Sequence, residues 1–167
     1  MAKKGKKKGG GGGSGKPPVA GDVATNRRAR FNFELVETME AGIQLQGSEV
    51  KALREGSAQL NDSYAVVQDG EVWLRKAHIP PYAPAARQNH EPERPRKLLL
   101  QRREIERLVG KTAQKGLTLV PTRIYFKGRH AKVELALARH KEGRDKRRDI
   151  AKRDVEREIA RDYKQRL

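Results

Sequence analysis

The run Glu40–Gly56, EAGIQLQGSEVKALREG, constrains the fold of this chain more than any other segment. Ile43 and Leu45 alternate with Gln44 and Gln46 and lead into Gly47, which is the pattern of a half-buried strand ending at a glycine. Ser48 stands where an N-cap belongs, Val50 and Leu53 share one helical face, and Gly56 stops the helix. A strand that turns directly into a short capped helix fits a small barrel with that helix plugging one end.

The flanking sequence supplies the rest of such a barrel. Phe31, Phe33 and Leu35 alternate and predict a first strand leading toward Met39. Tyr64–Val67, Asp69-Gly70 and Val72–Leu74 predict a hairpin closed by a two-residue turn. Ile79–Arg96 contains five prolines and little apolar content, so it is expected to be a long surface loop. Ile105, Leu108 and Val109 predict a helix within Leu100–Val109, and Gly110 and Gly116 bracket a second short one. Leu117–Phe126 and Ala131–Ala138 predict a final hairpin across Lys127-Gly128-Arg129. Five to six strands and about three short helices result, mainly β with short α. Closing the antiparallel sheet removes its exposed edges.

Charge divides the chain in three. The whole chain carries 38 Lys+Arg against 21 Asp+Glu, a formal +17, which calls for a polyanionic partner. Met1–Gly21 holds six lysines, no acid and a glycine run, too little apolar surface to offset the entropy of ordering. Lys141–Leu167 holds 11 basic and 7 acidic residues with a thin stripe of Ile150, Val155, Ile159 and Tyr163. Asp149–Arg153 and Asp162–Arg166 are spaced as i,i+4 ion pairs, each adding only about 0.2–0.5 kcal/mol. That tail is expected to be unstructured alone and helical when a surface captures it. The expected layout is a disordered basic tail over 1–25, a polyanion-binding β-barrel over 26–140 and a charged tail over 141–167.

Several functions are excluded or lack any sign. No apolar run approaches the ~20 residues of a spanning helix, so no membrane partner is expected. There is no cysteine, which rules out disulfides, thiolate zinc sites and a thiol nucleophile and suits the cytoplasm. Gly10–Lys16 spells G-x-x-x-x-G-K, but Pro17 replaces the magnesium-binding hydroxyl and no strand precedes it. The histidines His78, His90, His130 and His140 lack metal-ligand spacing, and no acid–base pair is legible. The reading is a non-enzymatic protein with no cofactor and no metal.

Five blocks in order resemble the SmpB family, the small proteins that bind transfer-messenger RNA in bacterial ribosome rescue. They are Asn26–Arg30 (NRRAR), the Glu40–Gly56 run, Asn61–Tyr64 with Asp69–Glu71, Arg96–Leu100 (RKLLL) and Asp145–Arg147 (DKR). The resemblance implies a small closed antiparallel oligonucleotide-binding-like barrel flanked by three helices. It implies an RNA-binding face that includes Asn26, Arg27, Arg30, Glu40, Lys97, Leu99 and Lys132. A lysine there neutralises phosphate, whereas a carboxylate accepts hydrogen bonds from base amino groups or 2′-hydroxyls. The tail is expected to meet the decoding centre and messenger channel through Lys141, Arg144, Asp145, Lys146, Arg147, Ile150 and Val155. The chain departs from the family's GKK segment, having His140-Lys141-Glu142 in its place.

The implied partners are the tRNA-like domain of transfer-messenger RNA and the ribosome, with its 16S rRNA decoding centre. Elongation factor Tu and alanyl-tRNA synthetase follow indirectly, through the RNA. The protein is expected to act as a monomer in trans-translation. The competing reading is a basic ribosomal or general RNA-binding barrel protein without a rescue role, which leaves the acids and apolar stripe of the tail unexplained.

Overall fold

The structure is a computed structural model and describes residues 21–114 and 116–165. Among these residues, seven strands and four α-helices follow one another as β1 Asp22–Thr25, α1 Arg27–Asn32, β2 Phe33–Ile43, α2 Gly47–Arg54, β3 Tyr64–Gln68, β4 Glu71–Arg75, β5 Arg96–Leu99, α3 Arg102–Thr112, β6 Leu117–Lys127, β7 His130–His140 and α4 Gly143–Gln165. All pairings are antiparallel, and six strands form a closed ring in the order β6-β3-β4-β5-β2-β7, with β7 returning to β6. The ring is the expected barrel, and β1 adds to β6 outside it.

Local chemistry explains most of the elements. Asp69 and Gly70 both have positive φ (53° and 73°), as the two-residue turn between β3 and β4 requires. Strand alternation sends Val72, Leu74, Leu98, Val133, Leu135 and Leu137 inward, where each is at most 1% exposed. Helix α2 follows β2 as the Glu40–Gly56 run predicts, and its Ala52 and Leu53 are fully buried in the same core.

Four details correct the sequence reading. Asp22–Thr25, assigned to the disordered segment, form β1, because Val23 and Ala24 can pack on the core once β6 offers an edge; residues 1–20, with the Gly10–Lys16 run, lie outside the described residues. Phe31 belongs to a short helix, α1, which Asn26 caps by accepting a hydrogen bond from the Ala29 N–H (3.0 Å). Gln46, not Ser48, occupies the N-cap of α2, and its N–H donates to Glu49 (2.6 Å). Helix α3 runs through Gly110 to Thr112, since a surface glycine costs a helix only about 1 kcal/mol, and no second helix follows among the described residues.

The proline-rich segment is pinned by polar locks invisible in local sequence. Glu49 and Arg96 are both fully buried and paired at 2.8 Å, and Arg94 adds two further hydrogen bonds to the same carboxylate (2.8 and 2.5 Å). Arg96 also donates to the carbonyls of Ala77 (2.6 Å) and Pro92 (2.9 Å). Burial raises the Glu49 pKa, but the two arginines and the Gln46 N–H outweigh it and hold the carboxyl below its ordinary value. Buried His90 bridges the Ser48 hydroxyl and the Ile79 carbonyl, both at 2.9 Å. The loop thus becomes a fixed wall against α2.

The C-terminal segment, expected to be unstructured in the free protein, is helical in the structure. Its first turns are tethered. The Lys141 N–H donates to the Asn32 carbonyl (2.9 Å), and its ammonium reaches the Arg30 carbonyl (3.1 Å) and the Asp149 carboxylate. The Arg153 guanidinium lies over the Phe31 ring (5.3 Å). Asp149 is therefore taken by Lys141 instead of the predicted Arg153. Beyond those turns α4 stands free, with Ile150, Val155 and Ile159 45%, 53% and 63% exposed. The side chains of Arg144, Asp162 and Tyr163, and residue Arg166, lie outside the described residues.

Candidate nucleic-acid interface

Barrel closure turns the residues that alternate away from the core into one lattice on the outer surface of β5, β2, β7 and β6. Register places Leu99, Gly42, Lys132 and Tyr125 in one cross-strand row, and Glu40, Glu134 and Arg123 in the next. Three predicted residues from distant parts of the chain, Glu40, Leu99 and Lys132, therefore converge. Lys97 lies two residues before Leu99 on β5, facing out, and pairs with Glu71.

Glu40 is the polar centre of this surface. It accepts a hydrogen bond from the Tyr125 hydroxyl and pairs with Lys127 (3.4 Å) and Lys132 (3.8 Å). The Tyr125 bond holds the carboxyl below its usual pKa against the opposing effect of burial, with Lys127 and Lys132 adding to the lowering. Burial and the bond to Glu40 push the Tyr125 phenol up to about 12, so it stays a donor. Arg123 stacks on the Tyr125 ring (4.6 Å) and binds Asp22 (3.1 Å) and Glu134 (3.2 Å). The result is a fixed acceptor set among cations, suited to a ligand offering phosphates and hydrogen-bond donors together.

The other predicted residues divide. Asn26 is 5% exposed, and its amide donates to the Leu60 and Pro121 carbonyls (both 3.0 Å) while its oxygen caps α1. Those bonds are spent inside the fold, where they fix α1. Arg27 and Arg30 are exposed on α1, beside the root of α4 and apart from the Glu40 lattice. Lys141 is the tether of α4, Asp145, Lys146 and Arg147 lie in its first turns, and Ile150 and Val155 lie on its uncovered surface. Asp145 suits the positive end of the helix dipole.

Sequence reasoning missed Arg123, Tyr125 and Lys127. Their i, i+2, i+4 spacing on β6 was the available signal, once that strand's outer side is known.

Comparison with known proteins bears on the same residues. The model of the family described as SmpB protein matches residues 23–165. The chain belongs to the SmpB protein family. The SsrA-binding protein of Mycobacterium tuberculosis is 57% identical over 140 residues, spanning 84% of this chain and 88% of the relative. That of Mycolicibacterium vanbaalenii is 56% identical over 145 residues, spanning 87% and 88%. A solved chain described under "tmRNA-SmpB: a journey to the center of the bacterial ribosome" superposes with a TM-score of 0.62 at 52% identity, over 71% of this chain and 84% of that one. The SmpB match thus covers the barrel, the Glu40 lattice and all of α4.

Proposed function

We propose that this chain is an RNA-binding adaptor of trans-translation. Its barrel binds the tRNA-like domain of transfer-messenger RNA through the outer lattice of Glu40, Lys132 and Leu99, flanked by Lys97. Helix α4 enters the vacant messenger channel of a stalled ribosome near the 16S rRNA decoding centre, with Lys146 and Arg147 toward phosphate. The protein supplies positioning and acts as a monomer; charging and delivery of the RNA fall to other proteins.

The observation that carries this reading is the convergence of Glu40, Leu99 and Lys132 on one outward surface in a chain of formal charge +17. A purely electrostatic RNA binder has no use for a carboxylate held ionised among lysines, whereas recognition of unpaired, splayed bases does. The family assignment and the printed names of the relatives support the RNA partner. No helix among the described residues is long and apolar enough to cross a membrane.

Sequencing of RNA that co-purifies with the intact protein tests the proposal. Enrichment of transfer-messenger RNA is the expected result. Stoichiometric retention on ribosomal subunits at high salt, without that RNA, would sink it in favour of a ribosomal protein.

A further inference from the structure

Three contacts meet where β7 leaves the barrel, apart from the Glu40 lattice. The His140 ring stands edge-on to the Phe33 ring, with centroids 5.3 Å apart and planes at 85°. The Lys141 N–H donates to the Asn32 carbonyl (2.9 Å). Its ammonium, on a side chain only 18% exposed, joins the Arg30 carbonyl (3.1 Å) to the Asp149 carboxylate. One turn further along α4, the Arg153 guanidinium covers the Phe31 ring at 5.3 Å. Two residues, Lys141 and Glu142, separate β7 from α4. The first is held by α1, and the carbonyl of the second accepts from the Asp145 and Lys146 N–H groups (3.1 and 3.2 Å). Strand thus passes into helix with both linking residues engaged. The sequence points the same way. The G-K-K segment of the family has a glycine where this chain has His140. A glycine there would have no ring to set against Phe33 and would restore backbone freedom at the point from which α4 could swing.

We propose that α1 and the end of β7 form a rigid joint that aims α4 before the ribosome is met, with Phe31, Phe33 and His140 as its positioning residues. The inference rests on the adaptor reading above and adds how the tail reaches its channel. A helix that swings freely holds the competent direction only part of the time, and its apparent affinity falls by that fraction. A direction fixed in the free protein removes that loss. The two ring contacts tie the joint to the barrel, since Phe33 opens β2 and Phe31 lies on α1, which Asn26 caps.

The test uses the full chain, which has no cysteine, so two introduced cysteines take spin labels at those positions alone. Glu106→Cys on α3 and Glu158→Cys on α4 are both at exposed positions. Pulsed EPR of the free protein should give one narrow distance distribution. Phe31→Leu combined with His140→Gly removes both ring contacts but no lysine, arginine or acid. It should broaden the distribution and leave attraction to phosphate unaltered. Its affinity for the tRNA-like domain of transfer-messenger RNA should equal that of the wild type, which also reports a folded barrel. The concentration that half-saturates tagging of nascent chains on stalled ribosomes should rise about tenfold, as for a competent direction held about a tenth of the time. His140→Phe keeps a ring against Phe33 and should match the wild type in both readouts. A broad distribution in the otherwise unsubstituted chain overturns the joint, as does normal tagging by a double variant whose distribution has broadened. Equal losses of tagging and of affinity for the tRNA-like domain also overturn it, because these residues would then act on that RNA itself. A wild-type chain that does not bind transfer-messenger RNA overturns the adaptor reading, and the aiming role with it, whatever the distances show.

Discussion

Single residues on the outer lattice carry opposite charges for one purpose, and mutation can separate their contributions. Lys132→Ala removes a phosphate partner, so RNA affinity should fall with the salt slope reduced by about one. Glu40→Ala removes a negative charge near a polyanion, and electrostatics alone would tighten binding. The structure predicts weakening instead, because the carboxylate is held in place by Tyr125, Lys127 and Lys132. Improved affinity for Glu40→Ala would make the carboxylate a bystander. Acid titration gives an independent check. The folded-state pKa of Glu40 is depressed below the usual 4.5, chiefly by the Tyr125 hydrogen bond. The interactions it makes are therefore intact above the unfolded value and disappear only as pH falls through the lower, folded one. In Tyr125→Phe the main depressing bond is gone, so the Glu40 carboxyl should titrate at higher pH, as NMR of the side chain would show. Glu40 and Leu99 stand in blocks of the sequence that carry the family resemblance, whereas Lys132 lies outside every block. The buried cap made by Asn26 was not legible, because a cap and a surface contact use the same amide, and only the fold shows where it points.

At the scale of elements, legibility followed the range of the interactions. The β3–β4 and β6–β7 hairpins and the start of α3 were readable because their turns, caps and alternation are local. The β1 strand and the folded proline-rich segment were not, since their partners lie far away in sequence: Ala24 faces Ile124, and Arg96 faces Glu49. That buried pair makes a sharp prediction. Glu49→Gln keeps the shape but leaves Arg96 charged and uncompensated, a loss of about 3–5 kcal/mol in urea unfolding. Its sign with pH is also fixed. Because the folded pKa of Glu49 lies below the ordinary carboxylate value, its contribution is complete above that value and fades as pH falls through the folded one. Wild-type stability should therefore drop in acid more steeply than that of Glu49→Gln. Helix α4 is the opposite case. Each fully buried leucine in the barrel contributes about 1.5–3 kcal/mol, whereas Ile150, Val155 and Ile159 bury roughly half their surface or less. Beyond its tether the helix has little tertiary support, and the Lys141 and Arg153 contacts that hold its first turns are ones that sequence spacing does not reveal. Proline at Val155 disrupts an interior turn at about 3 kcal/mol. Barrel stability and RNA affinity should remain unchanged in Val155→Pro, while the tagging of nascent chains on stalled ribosomes, to which the proposed adaptor role leads, is lost. Normal tagging by that variant would remove the helix from the mechanism.

Across the described residues, the barrel and α4 meet at one corner, where α1, Lys141 and the first turns of α4 come together. Among the described residues, no core residue belongs to α4. The chain should therefore divide into two functional parts at that corner, and the place of the cut matters. Lys141 must stay, because its N–H bonds the Asn32 carbonyl and its ammonium the Arg30 carbonyl, so a stop after Glu142 keeps the end of β7 joined to α1. The stop removes 10 basic and 6 acidic residues, leaving +13 of the original +17, and leaves the Glu40 lattice untouched. Long-range attraction for RNA should be nearly unaltered, and recognition of the tRNA-like domain should persist close to wild-type affinity, while tagging of stalled chains is abolished. The same cut removes Asp149 from Lys141 and Arg153 from Phe31, freeing a cation and an aromatic ring on the α1 surface. If the tRNA-like RNA reads only the β5-β2-β7-β6 surface, this exposure changes nothing in its affinity or salt slope. If truncation weakens that binding more than a few-fold, α1 and the root of α4 belong to the RNA site, and the two-part division fails.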